Sequence, residues 1–236
     1  MNIWIPICIL ILLICGCTKE TNPDMQRQKE LTKILKPFLK PGVDTEEYQE
    51  GSGWCRPTNR LAMKNFIAKY PDTEQVYQAE IWLIFAQNND FIRDWHQRIR
   101  VRAERAQKLA IIISKSARPG TVKMAQLARV YELCDAEDFA ESRKEINEIL
   151  VNIEKYKSEN DPQFQLYLKT VGQSPSDIEP ELRELLVIEE SYQMNLEKAL
   201  VLAEDLKQRF PRWDQQSVNG AIEMLKHGKP SYLYFR

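Results

Sequence analysis

Charge is missing from the first sixteen residues. Met1 to Gly16 hold no Lys, Arg, Asp or Glu, while the rest of the 236-residue chain carries 33 basic and 34 acidic side chains. That balance lacks the basic excess expected of a dedicated nucleic-acid binder. Glycine is scarce at 8 residues, few for a protein built on tight turns, strands or glycine-rich phosphate loops. Histidine occurs only at His96 and His227, and neither C-x-x-C nor G-x-S-x-G occurs. Zinc binding, dithiol redox chemistry and a nucleophile elbow therefore lack their usual residues. At 43% hydrophobic and 28% charged, the chain is too apolar for disorder and long enough to bury a core.

The uncharged leader is apolar from Met1 to Ile14, interrupted only by Asn2 and Pro6. A membrane-spanning helix needs roughly twenty apolar residues, so this shorter run reads as the hydrophobic region of an export signal. It ends in Leu13-Ile14-Cys15-Gly16-Cys17, followed by polar Thr18-Lys19-Glu20. Aliphatic, small, small, Cys resembles the lipobox of bacterial lipoproteins. The resemblance implies cleavage between Gly16 and Cys17, lipidation of the Cys17 thiol, and acylation of the new amino group. No Lys or Arg precedes the run, and Cys15 departs from the usual pattern. Thr18 is not the Asp that resembles an inner-membrane retention signal in enteric bacteria, which points to the outer membrane. Residues 1–16 are thus expected as a signal peptide and 17–30 as the lipidated terminus and tether. Of the remaining cysteines, Cys55 and Cys134 either close one disulfide in an oxidising compartment or sit as two separately buried small hydrophobes.

From about Leu31 onward the apolar residues follow helical spacing and no convincing strand alternation appears. Helices are expected through Leu61–Tyr70, Tyr77–Gln87, a long one carrying Ile92 to Ile113, Met124–Tyr131, and Phe139–Ile153. Further helices are expected at 180–194, 196–210 and 215–225. Asn88-Asn89-Asp90 reads as the N-cap of the long helix. Residues 157–179 read as an irregular linker and a suggested break, with a short helix from Pro162 to Leu168. The fold class expected is all-α, with 31–236 as its helical domain.

Repetition is the strongest signal in the body. Phe66-Ile67-Ala68-Lys69-Tyr70-Pro71 and Leu206-Lys207-Gln208-Arg209-Phe210-Pro211 share one helix end: apolar, three residues, aromatic, Pro. Leu127, Ala128, Tyr131 and Ala140, and Ala199 twelve residues before Pro211, fall at spacings that resemble the tetratricopeptide repeat (TPR). The resemblance implies an irregular α-solenoid of antiparallel helix pairs near 45–71, 74–118, 120–156 and 180–211, plus a capping helix. Repeat lengths drift, Tyr192 lies two residues too close to Ala199, and Asn147 occupies a usually small position. A lipidated chain with such repeats is similar in architecture to the small lipoprotein of the outer-membrane β-barrel assembly machine.

Candidate chemistry is sparse. Glu223 and His227 stand one helical turn apart, but no third ligand accompanies them, so no metal or other cofactor is expected. Glu190-Ser191 resembles the start of the lytic transglycosylase motif, whose acid must be desolvated in a cleft. Here it lies mid-helix beside Glu189, without the downstream segment that family carries. Arg93, Arg98, Arg100, Arg102, Arg105 and Lys108 read either as a docking site for acidic partners or as a solvated outer face. Trp54 and Trp213, with Tyr232, Tyr234 and Phe235, read as solenoid caps or interface anchors. The expected protein is a non-enzymatic scaffold, held at the envelope membrane through lipid on Cys17, that engages an unidentified envelope protein and no nucleic acid. The rivals are a peptidoglycan-acting enzyme and a structural lipoprotein joining membrane to wall.

Overall fold

The computed structural model describes residues 22–36, 57–87, 92 and 94–231. The leader, Cys17, Cys55, Trp54, Arg93 and the aromatic tail lie outside them, as does the suggested cap at 88–90. Within the described residues the protein is all-helical, with eleven helices and no strand. The chain divides into two compact units, residues 1–70 and 71–236.

The first unit contains α1 (Pro23–Leu35) and α2 (Pro57–Lys69), which pack together. Asn22 caps α1 by accepting the Asp24 amide at 2.9 Å, and Pro23 occupies the first turn, where no amide partner is missed. Glu30 on α1 accepts from Lys69 Nζ at 3.0 Å and from Tyr70 Oη at 2.7 Å. Met63 and Phe66 are buried, whereas Leu61, expected on the apolar face, is 58% exposed.

The second unit comprises α3 (Glu74–Gln87), α4 (Trp95–Lys115), α5 (Pro119–Asp135), α6 (Phe139–Val151), α7 (Ile153–Lys157), α8 (Pro162–Thr170), α9 (Ile178–Tyr192), α10 (Leu196–Arg209) and α11 (Gln215–Lys226). Helix α5 is its hub, packing against α3, α4, α6 and α8. Its sequence explains why: Gly120, Thr121, Met124, Ala125, Leu127, Ala128, Val130 and Leu133 are buried around most of its circumference, as expected of a helix enclosed by neighbours. Buried Gln78 of α3 donates to Thr121 Oγ1 at 3.2 Å, so this contact is polar as well as apolar. Helices α9, α10 and α11 share another core of Val187, Ala199, Ala203, Leu206, Val218, Ala221, Ile222 and Leu225.

Helix ends follow local chemistry. Asp94, Asp138, Asp161 and Asp214 cap α4, α6, α8 and α11 by accepting amides from their first turns. The long helix begins at Trp95, later than a cap at 88–90 implies, and Asp94 caps it by accepting the Gln97 amide at 2.7 Å. Pro119 opens α5 rather than merely ending the helix before it. Both aromatic-Pro ends behave alike: α2 stops at Lys69 and α10 at Arg209, two residues before Pro71 and Pro211. Phe210 has left the helix, with φ −124° and ψ 66°, as the residue before proline tends to do.

Two hairpin turns share one geometry that residue identity conceals. Between α5 and α6, Glu137 has φ 61°, and the Asp138 amide returns to Leu133 O at 3.0 Å. Between α9 and α10, Met194 has φ 62°, and the Asn195 amide returns to Glu190 O at 2.9 Å. Each is a left-handed helix stop that satisfies the terminal carbonyls.

The segment 157–179 is part of the second unit's core. Asp161 and Pro162 start α8, and Phe164, Tyr167 and Leu168 are buried at 3% exposure or less. Trp82 and Phe85 of α3 meet Tyr167 edge-on, with ring centroids 5.9 and 6.2 Å away. Such pairs contribute roughly 0.5–1.5 kcal/mol each beyond area burial.

Candidate binding groove

The last two turns of α5 present Ala128, Tyr131, Glu132 and Asp135 at i, i+3, i+4 and i+7, one face of the helix. That face lines two adjacent hollows that share Tyr131 and Asp135. The inner one, about 280 Å³, is walled by Ile84 and Phe85 of α3, Arg102 of α4, Tyr167 of α8, Val171 and Gln173 beyond it, and Glu181 of α9. The outer one, about 300 Å³, is walled by Trp95 and Arg98 of α4, Phe139 of α6, and Leu185, Ile188 and Tyr192 of α9, with Cys134 and Glu137.

Polar groups in the inner hollow are tightly organised. Arg102 is buried and spans two carboxylates: Nη1 stands 3.0 Å from Glu132 Oε1, and Nη2 3.1 Å from Asp135 Oδ2. Tyr131 Oη and Gln173 Nε2 both donate to Glu181, and Gln173 also donates to Tyr131 Oη at 3.1 Å. Glu132 is 1% exposed, and its Oε2 has no hydrogen-bond partner. Burial pushes its carboxyl from 4.5 up to about 7, against the pull of Arg102 and Arg105. Burial likewise raises Glu181 above the ordinary carboxylate value, opposed by the Tyr131 hydrogen bond. Burial and Glu181 hold the Tyr131 hydroxyl far above its usual range, so it stays a neutral donor.

The outer hollow is rimmed by aromatics that remain accessible. Trp95 is 45% and Tyr192 40% exposed. Phe139 and Tyr192 lie tilted against each other at 5.4 Å. Tyr192 Oη donates to Glu137 Oε1 at 2.7 Å, and Arg98 sits over the Trp95 ring at 5.4 Å. This combines large apolar area with a few fixed polar atoms, the usual composition of a recognition surface.

The basic row on α4 does not form one outer face. Arg100 and Lys108 are exposed, but Arg102 and Arg105 are buried at 8% and 7%. Helix α5 lies over that side, and an Arg turned toward it gains Glu132 and Asp135 as partners. Arg105 Nη2 reaches Gln87 O at 3.3 Å.

Glu189 and Glu190 are buried rather than solvated. Arg143 bridges both, at 3.3 Å to Glu189 and 3.0 Å to Glu190, and Lys198 Nζ is 2.6 Å from Glu190. Burial works to raise the Glu190 carboxyl, but Lys198, Asn195 and Arg143 outweigh it and hold it below 4.5. A proton-donating acid needs the opposite shift. The arrangement ties α6, α9 and α10 together.

Glu223 and His227 are both exposed, Lys226 pairs with Glu223 at 3.8 Å, and no group able to hold a metal ion occurs among the described residues. His96 is exposed on the first turn of α4. Trp213 packs on the α9–α11 core and donates to Glu184 at 2.7 Å, a cap on that core. Cys134 carries a free, half-buried thiol that burial pushes up in pKa. Among the described residues no helix is long and apolar enough to cross a membrane. Searches of protein families, curated proteins and solved structures found no match to this chain.

Sequence reading named Tyr131 only as a repeat position and missed Glu132, Gln173 and Glu181. The available signal was a pair of acids, Glu132 and Asp135, on the same helical face as Ala128 and Tyr131.

Proposed function

We propose that this protein is a lipid-anchored lipoprotein of the bacterial cell envelope that acts as a non-enzymatic interaction scaffold built from TPR-like helix pairs. The observation that carries the scaffold reading is the α5 groove, where accessible Trp95 and Tyr192 rim a hollow of about 300 Å³ that adjoins a second of about 280 Å³. Exposed aromatics around a concave surface are the anchors that protein partners use. Several features support the repeat reading: matched left-handed stops at Glu137 and Met194, buried Ala199, and Pro71 and Pro211 after the same kind of helix end.

Placement rests on Leu13-Ile14-Cys15-Gly16-Cys17 directly after the apolar run. Each buried acyl methylene contributes about 0.8 kcal/mol, so two or more long chains hold a protein at a membrane durably. The outer membrane is the proposed address, with the helical body facing the periplasm. The test is the mass of the mature amino-terminal peptide and the fractionation of Cys17→Ser. The expected result is a diacylglyceryl-modified Cys17 at the new terminus and release of the variant from membranes. A Cys17→Ser chain that stays membrane-bound and unprocessed, like the parent, overturns the anchor.

A further inference from the structure

Three of the side chains lining the inner hollow are carboxylates, Glu132, Asp135 and Glu181, and one is a guanidinium, Arg102. Asp135 and Glu132 Oε1 are already engaged by Arg102, and Glu181 by Tyr131 and Gln173. Glu132 Oε2 is the exception: an acceptor oxygen with no donor and no accessible surface of its own, on a side chain 99% buried that belongs to the lining of the hollow. A buried acceptor left this way costs roughly 1–3 kcal/mol. A cavity of about 280 Å³ holds far more than one water, whose share of liquid volume is about 30 Å³.

The remaining walls say what shape the missing donor has. Ile84, Val171 and Ala128 supply aliphatic surface, and Phe85, Tyr131 and Tyr167 supply aromatic rings. Such walls suit an unbranched methylene stem, and aromatic faces attract a cation more than a neutral donor. An anion is disfavoured by the carboxylates. A bare metal ion would require several oxygens converging on one point, and no such group occurs among the described residues.

We infer that the inner hollow is a pocket for a lysine or arginine side chain presented by an extended segment of a partner polypeptide, its cation paired with the Glu132 carboxylate, whose unpartnered Oε2 turns into the hollow on binding. This rests on reading the groove as a partner-binding surface and adds the chemistry of that partner. A polypeptide is favoured because the pocket adjoins the outer hollow through Tyr131 and Asp135. The chain flanking the cationic residue then lies against Trp95, Phe139 and Tyr192. The titratable and charged groups facing Glu132 are Arg102 and Arg105 from α4, Tyr167 from α8 and Asp135 on its own helix. A further cation favours ionised Glu132, so binding releases a proton near neutral pH.

The test uses the full-length chain in detergent micelles and capped decapeptide libraries with one position fixed as lysine, arginine, norleucine or glutamate. The expected result is lysine or arginine binding at least roughly tenfold more tightly than norleucine, with glutamate excluded. That preference should disappear in Glu132→Gln while the variant keeps the parent's circular dichroism. In the parent, the ¹³C carboxyl signal of Glu132 should move toward its ionised position as the lysine peptide is added. Equal binding of lysine and norleucine peptides, or an unmoved Glu132 signal on saturation, overturns the inference. Pentylamine or 1,5-diaminopentane binding as tightly as the lysine peptide overturns the polypeptide assignment. Photo-cross-linkers at Trp95 and Tyr192 separate the two levels. Partner adducts without cation preference refute only the pocket, and no adducts from either position refute the groove reading beneath it.

Discussion

Glu132→Gln removes a charge from the interior without changing side-chain shape, and its effect on stability has a sign that can be worked out. The side chain is 1% exposed, and burial raises its carboxyl from 4.5 to about 7 despite Arg102 and Arg105. Between those values the native state keeps a proton that the unfolded chain has given up. Native protein therefore binds more protons than unfolded protein in this window, and stability falls as pH rises through it. The span from 4.5 to about 7 corresponds to about 3 kcal/mol once both states are ionised.

Glutamine escapes that loss, because its amide oxygen still accepts from Arg102 and no charge is buried. The variant should match the parent near pH 4 and exceed it by up to about 3 kcal/mol near pH 8. Urea unfolding of both chains, followed by circular dichroism at several pH values, gives the difference directly. Glu184, which burial also raises to about 7, cancels because both chains carry it. A variant that loses ground to the parent as pH rises would refute the reasoning, since the ionised Glu132–Arg102 pair would then be net stabilising. The same substitution is expected to abolish cation preference in the groove, so stability and binding should move in opposite directions.

Trp82→Ala should cost about 3–5 kcal/mol, because Trp82 is 1% exposed and stacks edge-on against Tyr167; chemical denaturation measures it. Gly120→Ala should destabilise by about 1–3 kcal/mol despite the better helix propensity of alanine. A Cβ there overlaps Asp161 and stands 2.5 Å from its Cγ, so hydrogen exchange should accelerate first in α8, which Asp161 caps. Cys134 should resist iodoacetamide at pH 8 in native protein and react on unfolding, since burial disfavours its thiolate. Mass spectrometry of the peptide containing Cys134 reads this site by itself.

Helix existence was legible in the sequence because apolar spacing reflects which side faces a core. Helix α3 ends at Gln87, as that spacing predicts. Boundaries were less legible: only Asn88-Asn89-Asp90 stood out as a cap, although Asp94, which caps α4, is as able chemically to accept an amide. The α8 helix was legible from Pro162 to Leu168, but the segment around it read as a linker because nine helical residues carry too little periodicity to mark a core face. Even so, Asp161-Pro162 is a start signal, and Phe164, Tyr167 and Leu168 stand at i, i+3 and i+4. Burial of Arg102 and Arg105 could not be read locally, since it depends on α5 crossing α4 thirty residues later. The groove was hidden for the same reason: Phe85, Glu132 and Glu181 meet only through packing around α5.

The central claim is that a membrane-tethered chain uses the α5 groove to hold a partner. A photo-reactive amino acid at Tyr192, in envelopes of cells making the chain with Cys17 intact, tests it most directly. The account predicts a discrete cross-linked protein adduct that weakens when Glu132 is replaced by Gln. Contradiction would be an absence of protein adducts at Tyr192 while the same probe on exposed Val201 of α10 captures neighbours freely.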